Sequence, residues 1–351
     1  MSETPRDGAT ILAQTATIVG PLIRSQVNGL PPEIRHAVAL HFGWQADDRT
    51  VRSADVDGKV VRPALAFLAC QPVGGAPEDA RPAAAAVELV HNASLLHDDI
   101  IDHDALRRGR PALWAARGLP AALLAGDALF FAAIHALTES DPSVQTIPVL
   151  LGSVQALIEG EYLDTLLETG TEVSEARAVA VAAAKTGELF ACACELGALA
   201  GGADPARAGH LRAFGQQLGI AFQCLDDILD IWGEEQLTGK PARSDLRART
   251  ITVPVAAALA SRTSQASALR ALYQRDAPMS EEDCRQAAEL IEEAGARETT
   301  LRRARRCTTE ALEHLARAEP ETVSAAELAA LVDTLVNRNR CSPTRLQGGP
   351  S

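Results

Sequence analysis

The stretch SLLHDDIID, residues 94–102, sets Asp98, Asp99 and Asp102 inside apolar sequence, and FQCLDDILD, residues 222–230, repeats the spacing with Asp226, Asp227 and Asp230. The flanking Leu, Ile and Val recur at helical intervals rather than in alternation, so both stretches read as helix. On a helix, residues four apart share a face, which pairs Asp98 with Asp102 and Asp226 with Asp230. Like charges at that spacing destabilise a bare helix, and aspartate is a poor former in its interior, so two such clusters point to bound cations. Oxygen-only donors suit Mg²⁺, which takes one or two carboxylates and completes its shell with water and substrate phosphates. The substrate implied is a phosphate ester. One such cluster would serve equally well as a solvated acidic face; two, both in apolar surroundings, do not.

The same helical periodicity runs through nearly the whole chain, which predicts an all-α fold of ten or more helices joined by loops rich in Gly and Pro. Composition agrees: 47% of the residues are hydrophobic but only 3% aromatic, so the core is built from Ala, Leu and Val. A chain of 351 residues is read as one domain over 1–340 with a frayed tail at 341–351. Helix starts are predicted at Asp204-Pro205, an N-cap followed by proline, and at the box-like pairs Ser280/Asp283 and Ser324/Glu327.

A net charge of -13 argues against a nucleic-acid partner, and makes metal ions necessary for an acidic protein that binds phosphates. Seven cysteines, an odd number without C-x-x-C pairs, fit reduced intracellular thiols. Long uncharged runs such as Pro142 to Ile158 fall short of a bilayer span, and the N-terminus lacks the basic flank and apolar run of a signal peptide. A cytoplasmic protein without a transmembrane segment is expected.

Basic residues suited to phosphate oxygens lie near the clusters: Arg107-Arg108-Gly109 just past Asp102, Lys59 and Arg62 upstream, His91 on the face of Asp98, then Lys185-Thr186 and Lys240. Singly, each is more often a surface charge, and His91 a satisfied core histidine.

Taken in order, GKVVRP (58–63), HNASLLHDDIIDHDALRRGRP (91–111), LAGDAL (124–129), KTGELF (185–190), FQCLDDILD and TGKPARSDL (238–246) resemble the trans-isoprenyl (polyprenyl) diphosphate synthases, the farnesyl and geranylgeranyl diphosphate synthases among them. The resemblance implies an isoprenoid synthase fold: a homodimer of helical bundles, each with a deep central cavity whose mouth the two aspartate motifs face. It implies that Asp98, Asp99, Asp102, Asp226, Asp227 and Asp230 hold three Mg²⁺ ions, Mn²⁺ able to substitute, on an allylic diphosphate contacted by Arg107, Lys185 and Lys240. Lys59, Arg62, His91 and Arg108 would bind isopentenyl diphosphate without metal, Thr186 and Gln223 would line the reacting centre, and Asp127 would play a supporting part. Chain length would be set by the fifth and fourth residues before the first motif, Ala93 and Ser94. Both are small, which predicts geranylgeranyl diphosphate or a longer product, with Phe130 and Phe131 as a lower floor.

The chain departs from the family pattern at Asp57, Val60 and Thr250, the last replacing a lysine for which Arg247 or Arg249 would have to stand in. Trp114 replaces a polar residue and is placed either over the pocket or beneath it. A class I terpene cyclase on the same fold remains the first alternative, and a non-catalytic regulatory subunit of a synthase the second. Retained Lys59, Arg62, His91 and Arg108 favour elongation over the former, and two intact aspartate motifs argue against the latter.

Overall fold

The computed structural model describes residues 4–44, 60–138, 145–168, 173–233, 242–275 and 277–337. Its order is α1 (Gly8–Asn28), α2 (Pro32–His41), α3 (Val61–Cys70), α4 (Arg81–Ile101), a two-residue ribbon β1 (Leu106–Arg107) and β2 (Arg110–Pro111), α5 (Leu113–Arg117), α6 (Leu119–Thr138), α7 (Thr146–Glu168), α8 (Glu175–Ala182), α9 (Glu188–Ala200) and α10 (Pro205–Trp232). Then follow α11 (Ser244–Ala248), α12 (Val253–Ala260), α13 (Ser264–Tyr273), α14 (Glu281–Glu293), α15 (Ala296–Arg317) and α16 (Thr322–Val336). The expected all-helical class is observed.

The two helices that carry the aspartate clusters are central. α4 begins at Arg81-Pro82, which suits the first turn, and its run of four alanines lets it lie close against α3, α6 and α9. α10 begins under the predicted cap, Asp204 accepting from the amides of Ala206 and Arg207, and packs along α9 and α15. Every residue of α3 except Arg62 is buried, so this helix serves as a core strut that offers one guanidinium. Buried side chains fall into two groups, one around α1, α3, α4, α6 and α9, the other around α8, the end of α10 and α12 to α15. Both aspartate clusters lie where these groups meet.

The capping box at Ser280 and Asp283 forms as expected. The one expected at Ser324 does not: α16 starts earlier, with Glu321 at the N-cap position and no side-chain cap bond, and Glu327 binds the Arg6 guanidinium at 2.5 Å. A charged partner from the other end of the chain outcompetes the local cap. All six described cysteines are buried and free.

Among the described residues one helix, α6, is long and apolar enough to cross a membrane by length and composition alone. It packs along α4 and carries Asp127, as the core helix of a bundle does. Its outer face nevertheless exposes Leu123, Leu124 and Phe131.

One glycine contact seats the site. A side chain on Gly219 of α10 would come 2.6 Å from the Cα of Gly187, the last residue of a π-helical turn (Ala183–Gly187) between α8 and α9. Gly219→Ala is expected to push that turn away at a cost of about 1–3 kcal/mol. A lowered melting temperature together with a lower kcat would show both effects.

Candidate active site

The helices enclose a cavity of about 460 Å³, and the described site residues converge on it. Asp98 and Asp102, at the end of α4, line it as the shared-face argument requires, and on α10 Asp226 and Asp227 line it rather than the expected pair Asp226 and Asp230. Asp99, one residue round the helix, is only 1% exposed and is absent from the lining. Its Oδ1 accepts from Arg107 Nε at 2.7 Å and lies 2.5 Å from a second guanidinium nitrogen, which makes it a brace for Arg107 and turns it away from the cation face.

Arg107 reaches that position through the ribbon. Arg108 and Gly109 both take positive φ, +53° and +73°, the requirement of a two-residue hairpin turn, so Arg107 and Arg110 pair across it. Trp114 fastens the loop from beneath, its Nε1 donating to the Asp104 carbonyl at 2.7 Å while the ring packs on the core. It is no lid.

On α10 the second cluster divides its labour. Asp227 is buried, with Oδ1 accepting from Gln223 at 2.7 Å and Oδ2 from the Val253 amide at 2.9 Å, and Gln223 in turn accepts from the Thr186 hydroxyl at 2.7 Å. Asp230, expected among the metal ligands, is absent from the lining and has both carboxylate oxygens in use. Oδ1 accepts from the Ser244 hydroxyl at 2.5 Å and Oδ2 from the Asp245 amide at 3.0 Å, at the start of α11. The returning chain supplies donors that no helix-face argument registers.

Lys185 projects from the π-helical turn and contacts Asp164 at 2.8 Å, Glu161 at 2.9 Å and Asp98 at 3.3 Å. Burial works against its charge, but these carboxylates together raise its pKa above the usual lysine value. Glu161 and Asp164 are site residues that the motif reading misses, although with Glu168 they fall at i, i+3 and i+7, which is one helical face.

Arg62, His91 and Arg108 also line the cavity and lie close enough to feel one another's charge. Burial, reinforced by the two arginines, holds His91 well below the ordinary imidazole value and therefore neutral. Lys59 and Lys240 lie outside the described residues. Neither proposed replacement for the missing lysine turns inward: Arg247 binds Glu281 at 2.6 Å and Arg249 the Ala277 carbonyl at 2.5 Å, so Thr250 lines the wall.

Ser94 lines the main cavity and also a second, apolar one of about 260 Å³ formed with Phe130, Leu157 and Ile158. Ala93, expected beside it, is fully buried and lines neither, and Phe131, expected as floor, is 73% exposed on the outside. Successive helical residues differ by about 100° in direction, so adjacent positions do not share a wall. Asp127 stands 3.7 Å from His97, whose ring fits against Gly126.

Burial raises Asp102 and Asp227 to about 7, the neighbouring Asp98 and Asp226 adding to the respective effects. Each binds a proton more tightly folded than unfolded, so its stabilising contribution, complete in acid, is lost as pH rises through about 7. The metal-free protein is expected to melt progressively lower between about pH 4 and about pH 7. Divalent cation with diphosphate should restore more stability at the upper end than the lower, a pattern calorimetry would read.

Among the described residues no three acidic, histidine or cysteine side chains converge to cage a metal by themselves. The donor set still fits Mg²⁺, because carboxylates on two facing helices with room between them leave coordination positions for water and substrate oxygens.

A family model described as polyprenyl synthetase matches residues 49–291. The chain is 39% identical over 345 residues to a geranylgeranyl diphosphate synthase of Mycobacterium tuberculosis (strain ATCC 25618 / H37Rv), covering 97% of each. It is 38% identical to a (2E,6E)-farnesyl diphosphate synthase of Mycobacterium bovis (strain ATCC BAA-935 / AF2122/97), covering 93% of this chain and 92% of that protein. A crystal structure of a polyprenyl synthetase from Streptomyces coelicolor A3(2) superposes with a TM-score of 0.88 at 40% identity, over 94% of this chain and all of that one.

Proposed function

Because the chain belongs to the polyprenyl synthetase family and is a prenyltransferase that makes trans-prenyl diphosphates, we propose that its main cavity holds two diphosphates in two different ways. One group on its wall is Asp98, Asp102 and Asp226 with Lys185 and Arg107, the last two in contact with Asp98; the other is Arg62, His91 and Arg108, which feel one another's charge. This division carries the reading: an allylic diphosphate at the carboxylate cluster and isopentenyl diphosphate at the basic cluster. A terpene cyclase has use for only the first.

Asp98, Asp102 and Asp226 would hold Mg²⁺ here, and Mg²⁺ supplies charge that stabilises a departing diphosphate. Lys185 and Arg107 add fixed positive charge beside it. Asp99 keeps Arg107 aimed, and Asp227 ties α10 to the Thr186 turn through Gln223. When the allylic C–O bond breaks, its electron pair leaves with the diphosphate and the prenyl fragment becomes cationic. The double bond of isopentenyl diphosphate supplies the pair for the new C–C bond, and a proton then departs to the released diphosphate. Leu95, Leu157, Phe190 and Phe222 on the wall exclude the water that would quench the cation.

Geranylgeranyl diphosphate is the product we assign, because small Ser94 lies on the wall of both the main cavity and the second, apolar one. That cavity ends at Ile158 and Tyr162, 58% and 65% exposed, which continue the apolar outer face of α6. A second copy of the chain covers this face in the homodimer we propose. Equilibrium binding tests this division. Isopentenyl diphosphate should bind equally with and without EDTA, whereas an unreactive allylic thiodiphosphate should need Mg²⁺; metal dependence of both, or of neither, would overturn the division.

A further inference from the structure

Lys185 and Thr186 reach the cavity from a turn of uncommon geometry. In the π-helical turn Ala183–Gly187 the Glu188 amide bonds back five residues to the Ala183 carbonyl, one more than an α-helix spans. Such turns are rare and collect at functional sites. Relaxation to the ordinary α register would rotate Lys185 by about 100° relative to α9, away from Asp98, Glu161 and Asp164, its partners at 3.3, 2.9 and 2.8 Å. Something outside the turn has to hold the extra residue in place.

Two side chains that do not line the cavity grip its ends. At the start, Gln216 of α10 donates from Nε2 to the Ala183 carbonyl at 3.2 Å, a second bond to the same oxygen. At the other end Glu188 is buried, and its Oε1 accepts from the Ser153 hydroxyl of α7 at 2.7 Å and from the Arg212 guanidinium of α10 at 2.5 Å. Arg212 is itself held by Glu195 of α9 at 2.7 Å. This clamp ties the first residue of α9 to α7 and α10, the helices that supply Glu161, Asp164 and Asp226. Backbone packing agrees with it. A side chain on Gly160 of α7 would come 2.6 Å from Ala184 Cβ and 3.1 Å from the Lys185 amide nitrogen, so the turn lies directly on α7.

We propose that Glu188, clamped by Ser153 and Arg212, is a positioning residue that holds the π-helical turn in register and so keeps Lys185 at the carboxylates that take the allylic diphosphate. This rests on the reading that places Lys185 beside the departing diphosphate. Glu188 does not line the cavity; it acts through the turn, in which Lys185 stands three residues before it.

The experiment is steady-state kinetics, each substrate varied separately, on the wild type, Glu188→Ala, Glu188→Gln, Lys185→Ala and the double variant Lys185→Ala/Glu188→Ala, below the lowest melting temperature of the set. Glu188→Ala should lower kcat about tenfold, with KM for isopentenyl diphosphate within about twofold, and should add less than about twofold in the Lys185→Ala background. Glu188→Gln, whose amide oxygen still accepts from Ser153 and Arg212, should recover kcat to within about threefold of the wild type. A kcat unchanged in Glu188→Ala, a loss equal in both backgrounds, or a Glu188→Gln no better than Glu188→Ala overturns the proposal. Wild-type kcat in Lys185→Ala removes the reading of Lys185 itself, and the proposal with it. Should Glu188→Ala fail to fold, Ser153→Ala deletes one of the two bonds to the carboxylate. A loss of kcat of about threefold, confined to the background that keeps Lys185, is expected; no loss, or the same loss without Lys185, overturns the role.

Discussion

Asp226→Ala is expected to lower turnover about a thousandfold or more while the protein remains folded. The carboxylate is exposed on the cavity face of α10, opposite Asp98 and Asp102 on α4. Its removal deletes a cation donor without opening the helix packing, so the loss falls on stabilisation of charge in the departing diphosphate. The neighbouring substitution separates the two kinds of aspartate. Asp227→Ala strips a buried acceptor from Gln223 and from the Val253 amide, and unsatisfied buried donors cost about 1–3 kcal/mol each. Asp227→Ala should therefore lower the melting temperature as well as activity, whereas Asp226→Ala should lower activity alone. Near-normal kcat in Asp226→Ala, with circular dichroism and melting unchanged, would remove the metal assignment.

Ser94→Phe is expected to change what the enzyme makes. Ser94 belongs to both cavities, its hydroxyl turned back to the His91 carbonyl at 2.8 Å, so an aromatic ring there would plug the passage between them. The dominant product should shorten by at least one isoprene unit, to farnesyl diphosphate or less. Ala93→Phe serves as the contrast. Placed in a fully buried site that lines neither cavity, it should cost about 1–3 kcal/mol through overpacking and leave product length unaltered. The opposite result, shortening by Ala93→Phe and none by Ser94→Phe, would move the cavity floor to the other side of α4.

The helical class is legible in the amino-acid sequence through its period, and the pairing of Asp98 with Asp102 through the i, i+4 rule, because both depend on one helix at a time. The roles of Asp99 and Asp230 are not legible there. The family resemblance counts Asp99 among the metal ligands, but one step round the helix points it at Arg107, and only the ribbon's turn at Arg108-Gly109 brings that guanidinium back. Asp230 satisfies the same spacing rule, yet Ser244 and the Asp245 amide, donors fourteen and fifteen residues away, hold both its oxygens off the cavity wall. Glu161 and Asp164 are legible in principle, since their spacing marks a face, but no local pattern says that Lys185 faces them. Phe130 and Phe131 illustrate the same limit: these adjacent aromatics on α6 look inward and outward respectively, and only packing against α4 distinguishes them.

The most direct test is a product assay with Mg²⁺, labelled isopentenyl diphosphate and, separately, dimethylallyl, geranyl or farnesyl diphosphate, followed by dephosphorylation and chromatography. Labelled, linear geranylgeraniol from each allylic substrate is the result predicted. Unlabelled cyclic hydrocarbons formed without consumption of isopentenyl diphosphate, or no metal-dependent product at all, would contradict the account.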